Sequence, residues 1–149
     1  MSADERFYLD TSALLPYYRE EPASEAVERL LGSLRPPVMV SDLTRVEFFS
    51  AVARWVRMGE LEEWHADTLG NAFEKDIAAG LLSVREVKPS HFRQAERWLS
   101  RRRTALRTLD ALHLACCWGY GARLITCDTR MHRAAELAGI GSVLVGPAA

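Results

Sequence analysis

Four carboxylates in this chain sit where a carboxylate is costly. Asp10 follows the apolar run Phe7-Tyr8-Leu9, and Asp128 follows Leu124-Ile125-Thr126-Cys127. Glu47 is flanked by Val46, Phe48 and Phe49, and Asp110 opens the apolar stretch from Leu109 to Trp118. Each neighbourhood reads as buried. Burying one unpaired acid is unfavourable, and gathering several is worse, because like charges a few Å apart repel strongly at interior dielectric. Compensation must come from Arg partners, shared protons or a divalent cation. In the last case, hard oxygen donors without a Cys or His cluster point to Mg2+ or Mn2+. Taken singly, each acid also has a structural reading. Asp10 and Asp128 suit helix caps, Asp110 a first-turn acid favoured by the helix dipole, and Glu47 a partner of Arg45 or Arg54. Four such acids in apolar settings favour a shared chemical purpose.

The elements that must position these acids alternate along the chain. The apolar run before Asp10 predicts a buried strand. Helices are predicted over 12–18 and 21–32, the second started by Pro22 and stopped by Gly32. A strand over 38–40 leads into the cap Ser41-Asp42 and a long helix over 43–58. A further helix over 60–79 completes an αα-hairpin. Then follow a strand over 81–84, a helix over 89–99, a central helix over 109–118 capped by Thr108, and a strand over 124–127. A helix over 129–138 and a strand over 143–145 close the chain. Strands alternating with helices imply a three-layer α/β/α sandwich around a mostly parallel sheet. In such a sheet Asp10 and Asp128 belong to strand tips, and Glu47 and Asp110 to early helical turns above the same rim.

Length and composition bound the class. With 149 residues, 48% hydrophobic and 26% charged, the chain reads as one domain, 1–149, that buries a substantial core. No apolar stretch approaches the ~20 residues of a membrane span, so no membrane is expected. Met1-Ser2-Ala3-Asp4-Glu5 is polar and acidic, unlike a signal peptide, so a cytoplasmic location is expected. Cys116, Cys117 and Cys127 form neither a disulfide framework nor a zinc-site spacing. Net charge is −1, yet 17 of the 19 basic residues are Arg, the exceptions being Lys75 and Lys88. Arg presents a planar fork suited to phosphate, so a nucleic-acid partner is compatible with this charge. Arg101, Arg102 and Arg103, with Arg107, precede the Asp110 helix and could either track a phosphate backbone or form a solvated loop.

Four segments together resemble the PIN-domain nucleases, in particular the toxin ribonucleases of the VapBC toxin–antitoxin type. They are Leu9-Asp10-Thr11-Ser12-Ala13-Leu14, Ser41-Asp42-Leu43-Thr44-Arg45-Val46-Glu47, Leu106-Arg107-Thr108-Leu109-Asp110-Ala111-Leu112-His113-Leu114-Ala115 and Leu124-Ile125-Thr126-Cys127-Asp128. The resemblance implies a Rossmann-like sandwich, an acidic Mg2+ or Mn2+ pocket and endonucleolytic hydrolysis of RNA by a metal-activated water. It makes Asp10, Glu47, Asp110 and Asp128 the metal-site acids and gives Thr11 or Thr126 a pocket hydroxyl. A single acid stands at the Asp128 segment, which leaves the choice between one and two metal ions open. The resemblance further implies a small protein antitoxin as partner and a homodimer.

Two other readings fit part of the pattern. A phospho-acceptor domain also begins with a strand-terminal Asp, but Ser12 stands where a dehalogenase-like Asp-x-Asp needs its second acid. A non-catalytic PIN fold that only binds RNA or protein is the other, although pure binding requires none of the four acids. His113, three residues after Asp110, could face the pocket, but so apolar a helix favours a satisfied core imidazole. Trp55, Trp64, Phe48 and Phe73 on the hairpin read first as core, with an apolar groove there as a place for an amphipathic partner helix.

Overall fold

A computed structural model describes residues 4–147; Met1 to Ala3 of the acidic N-terminal segment lie outside the described residues. Its centre is β1 (Phe7–Leu9), three fully buried residues whose side chains alternate between two layers. On its flanks lie β2 (Val38–Ser41) and β4 (Arg123–Thr126), with β3 (Leu82–Arg85) and β5 (Ser142–Leu144) outside them. The order is β3-β2-β1-β4-β5 and every pairing is parallel. The chain leaves β1 toward β2 and later returns on the opposite side as β4. That reversal creates a crevice beyond the carboxyl ends of β1 and β4, where open α/β sheets bind ligands.

The strand pleat explains the two outer layers. Phe7, Leu9, Val38, Val40 and Ile125 face one side, where they meet α1 (Thr11–Tyr18), α2 (Ser24–Ser33), α3 (Asp42–Arg57) and α4 (Glu63–Ala78). Tyr8, Met39 and Leu124 face the other, against α6 (Thr108–Gly119), α7 (Thr129–Leu137) and Trp98 of α5 (Pro89–Arg101). Each wholly buried Leu, Ile or Val contributes about 1.5–3 kcal/mol relative to exposure. A three-layer α/β/α sandwich results, as the alternation of elements predicts.

Most element boundaries shift by a few residues from the sequence reading, and three of the shifts have a local cause. Pro22 lies in the turn before α2 instead of starting it, because the Ser24 hydroxyl ties that turn to the Pro16 carbonyl at 2.6 Å. Thr108 is the first residue of α6, and the extended backbone of Arg107 makes the cap. The last strand lies one residue earlier, at Ser142–Leu144, where its pairing with Leu124 to Thr126 sets its register.

The αα-hairpin is docked by aromatics. Phe48 and Phe73 are buried with ring centroids 4.3 Å apart, and Tyr18 meets both edge-on. The Tyr18 hydroxyl donates to Asp76 at 2.6 Å, joining α1 to α4. The aromatic residues expected as one set therefore divide. Phe48 and Phe73 are core, Trp55 lies half-buried beneath the Arg19 guanidinium, and Trp64 is 67% exposed. Among the described residues no helix is long and apolar enough to cross a membrane.

Candidate active site

Asp10 is placed by the backbone before its side chain does anything. Its amide donates to the Ile125 carbonyl at 3.2 Å, continuing the β1–β4 ladder, and the chain then turns into α1 with Asp10 as N-cap. Oδ1 accepts from the Ala13 amide at 3.1 Å and the Ser12 hydroxyl at 2.7 Å, while Oδ2 accepts from the Thr126 hydroxyl at 2.5 Å. Thr126 Oγ1 in turn accepts from the Asp128 amide at 3.0 Å, and Ser12 Oγ from the Cys127 amide at 3.0 Å. Hydroxyls thus bind the tips of β1 and β4 together. Burial pushes the Asp10 carboxyl above its ordinary range, opposed by the Thr126 and Ser12 hydroxyls, His113 and the Ala13 amide.

Glu47 is held differently. It lies in the second turn of α3, whose start is fixed by the Ser41 amide donating to Thr44 Oγ1 at 3.0 Å. Its Oε1 accepts from the Thr11 hydroxyl at 2.7 Å and is hydrogen-bonded to His113 Nε2. Burial alone would raise this carboxyl, but the bond to His113, its charge and the Thr11 hydroxyl prevail and hold it below the usual value. Neither Arg45 nor Arg54 partners it; Arg45 pairs instead with Glu74 on α4. Asp110 occupies the first turn of α6, one turn before His113 on the same face. Among the described residues its carboxylate accepts no hydrogen bond and meets no cation. Asp128 is the N-cap of α7 and accepts from the Arg130 amide at 2.9 Å.

The burial expected for all four acids holds only for Asp10, at 4% exposure. Glu47, Asp110 and Asp128 are half-buried, because first and second helical turns stand above the rim and not beneath it. The structural reading holds at the strand tips, since Asp10 and Asp128 do cap helices. Among the described residues no three His, Cys, Asp or Glu side chains are gathered closely enough to hold a metal ion. The donor set is nevertheless of one hard kind. The thiols offer nothing softer: burial pushes Cys116 and Cys117 up to about 12 and Cys127 up to about 11, so all three stay protonated at neutral pH. Arg101, Arg102, Arg103 and Arg107 are exposed around the turn into α6; Arg102 adopts a left-handed conformation, φ 55°, that ends α5.

His113 is the group the sequence undervalued. It is a satisfied buried imidazole, as so apolar a helix suggests, yet the partner that satisfies Nε2 is Glu47. On the other side Nδ1 lies 2.7 Å from the Tyr8 hydroxyl. The i, i+3 spacing from Asp110 is the one signal in the sequence that points to this placement.

Comparison with known proteins shows the family and the fold. A family model of the PIN domain matches residues 7–137. Ribonuclease VapC46 of Mycobacterium tuberculosis is 33% identical over 146 residues, covering 91% of this chain and 95% of the relative. Among solved structures, VapC20 of the same organism, a sarcin-ricin loop cleaving toxin, superposes with a TM-score of 0.68 at 21% identity, covering 95% of this chain and 99% of that one. FitAcB from Neisseria gonorrhoeae superposes at 0.69 with 21% identity, covering 91% and 95%.

Proposed function

This chain belongs to the PIN-domain family, and from that premise we propose that it is a divalent-metal-dependent endoribonuclease, the toxin of a toxin–antitoxin pair. The observation that carries the reading is the match along nearly the whole chain to a ribonuclease, Ribonuclease VapC46. The residues assigned to Mg2+ or Mn2+ are Asp10, Glu47, Asp110 and Asp128, with Thr11 and Thr126 as hydroxyls of the pocket. When bound, such an ion supplies charge at the scissile phosphate and acidifies a water.

The chain's own groups divide the remaining work. Thr126 and Ser12 hold the Asp10 carboxylate at the joint between β1 and β4. Thr11 and His113 hold Glu47 by one oxygen, and Oε2 keeps its lone pairs. Asp110 keeps both oxygens for a ligand. Arg107, one turn before Asp110, and Arg101 to Arg103 offer an exposed positive edge along which an RNA backbone can lie.

Removal of divalent ions by EDTA should abolish RNA cleavage, and Mg2+ or Mn2+ should restore it, with products bearing 5′-phosphate and 3′-hydroxyl ends. Cleavage that persists in EDTA, or in an Asp110→Asn protein, would end this reading. Arg102→Gly keeps the left-handed turn, so it isolates the guanidinium. It should weaken RNA binding and reduce the salt slope by about 1; unchanged binding would assign the arginines to a solvated loop.

The partner proposed for the hairpin is the amphipathic helix of an antitoxin. Val46, Phe49 and Trp64 are exposed there, and a groove of about 500 Å³ runs between α3 and α4 along Phe49, Val52, Val56, Ala66 and Gly70. Trp64→Ala should weaken that pairing without altering the fold.

A further inference from the structure

Tyr8, Ser41, Thr11, His113 and Glu47 come from five different elements, β1, β2, α1, α6 and α3, and form one connected chain of hydrogen bonds. Ser41 Oγ lies 2.8 Å from Tyr8 Oη, Tyr8 Oη lies 2.7 Å from His113 Nδ1, and His113 Nε2 reaches Glu47 Oε1. Tyr8 and Ser41 are wholly buried and His113 nearly so. A carboxylate only accepts, so Nε2 must carry the proton it shares with Glu47. Behind it, Nδ1 and the Tyr8 hydroxyl are hydrogen-bonded to each other, and the hydroxyl to Ser41, whichever way those protons point. One connected path of hydrogen bonds therefore runs from the tip of β2 to the rim acid. Among the described residues no buried side-chain nitrogen or oxygen lacks a partner, so the chain has no slack.

We propose that His113, oriented by Tyr8, is a positioning residue for the metal site, fixing Glu47 by Oε1 so that Oε2 is presented to the cation. This rests on the metal reading of the rim. A ring that only filled space would need neither the paired nitrogens nor a bond to a half-open carboxylate on another helix. Groups that orient a metal ligand in this way usually account for 10- to 100-fold in metal affinity.

The test is calorimetric titration of the full chain with Mn2+, alongside thermal melting without metal. His113→Leu should raise the Kd for Mn2+ at least ~10-fold, whereas His113→Gln, whose amide N–H can reach Glu47, should recover most of the affinity. Tyr8→Phe removes one oxygen and keeps the ring, so it carries the test should His113→Leu not fold; its Kd should rise several-fold. A drop in melting temperature with unchanged Kd in these variants overturns the positioning role and leaves a structural one. A wild-type protein that binds no Mn2+ overturns the metal reading itself, and this inference with it.

Discussion

Asp10 is enclosed by neutral hydroxyls and an amide at the joint of two strands, whereas Glu47, on the neighbouring helix, is half-open and leans on an imidazole. Burial drives the first carboxyl toward its neutral form, and His113 with Thr11 keeps the second ionised despite burial. Two acids of one rim thus answer the cost of an interior charge in opposite ways. The lesson is that neighbouring acids need not meet the cost of burial in one way: the charge on Asp10 is disfavoured by its enclosure, Glu47 is partnered, and Asp110 and Asp128 stand nearer to water.

The comparison breaks most sharply in catalysis. Although Asp10 and Glu47 are held so differently, Asp10→Asn and Glu47→Gln should each lower RNA cleavage by ~10³-fold or more, a scale expected when a group acts directly at the reacting centre. Initial rates on a short RNA, with folding checked by circular dichroism, would measure it. Should one variant keep substantial activity, the two halves of the rim are not one site.

The hydroxyls that serve each acid should separate the halves next. Thr126 is wholly buried and serves two partners, the Asp10 carboxylate and the Asp128 amide, so Thr126→Val leaves both unsatisfied at a cost of about 1–3 kcal/mol. Thr11 is only half-buried and shares its task with His113, so Thr11→Val should cost about 0.5–1 kcal/mol. Denaturant melts of the two variants would show the ordering, and equal losses would refute the contrast in burial.

How far the sequence reveals this arrangement follows from the range of each interaction. Strand and helix order follows from local pattern, and the parallel sheet follows from that order. The candidacy of Asp10 follows too, because an acid after Phe7-Tyr8-Leu9 contradicts its own surroundings. Boundaries were less legible, since Thr108 looks like a cap yet Arg107 makes it. The engagement of His113 with Glu47 was hidden because it joins residues 66 apart in sequence, and apolar neighbours around His113 say only that it is buried. Likewise the sequence places Trp64 with Phe48 and Phe73, whereas packing against Tyr18 selects the two phenylalanines and leaves Trp64 at the surface.

The smallest effect carries the most pointed test, because its sign differs between the two acids. Asp10 has a raised value in the folded protein, so its contribution to stability is greatest below the ordinary carboxylate range and is lost as pH rises through the folded value. At pH 7 the charge on Asp10 therefore opposes folding, and Asp10→Asn, which keeps a capping side chain, should raise the melting temperature by a few degrees, the shift that ~1 kcal/mol gives a domain of this size. Glu47 has a lowered value, so its contribution is present above the ordinary range and disappears as pH falls through the folded value. Glu47→Gln should therefore lower the melting temperature at pH 7, and the difference from wild type should narrow as pH falls below the ordinary carboxylate range. Melting curves without divalent ions between pH 3 and pH 8, a span of ~5 pH units that crosses the ordinary carboxylate range, would decide. If both variants move the melting temperature in the same direction at pH 7, burial does not disfavour the Asp10 charge while His113 holds that of Glu47, and the rim is a uniform acidic patch.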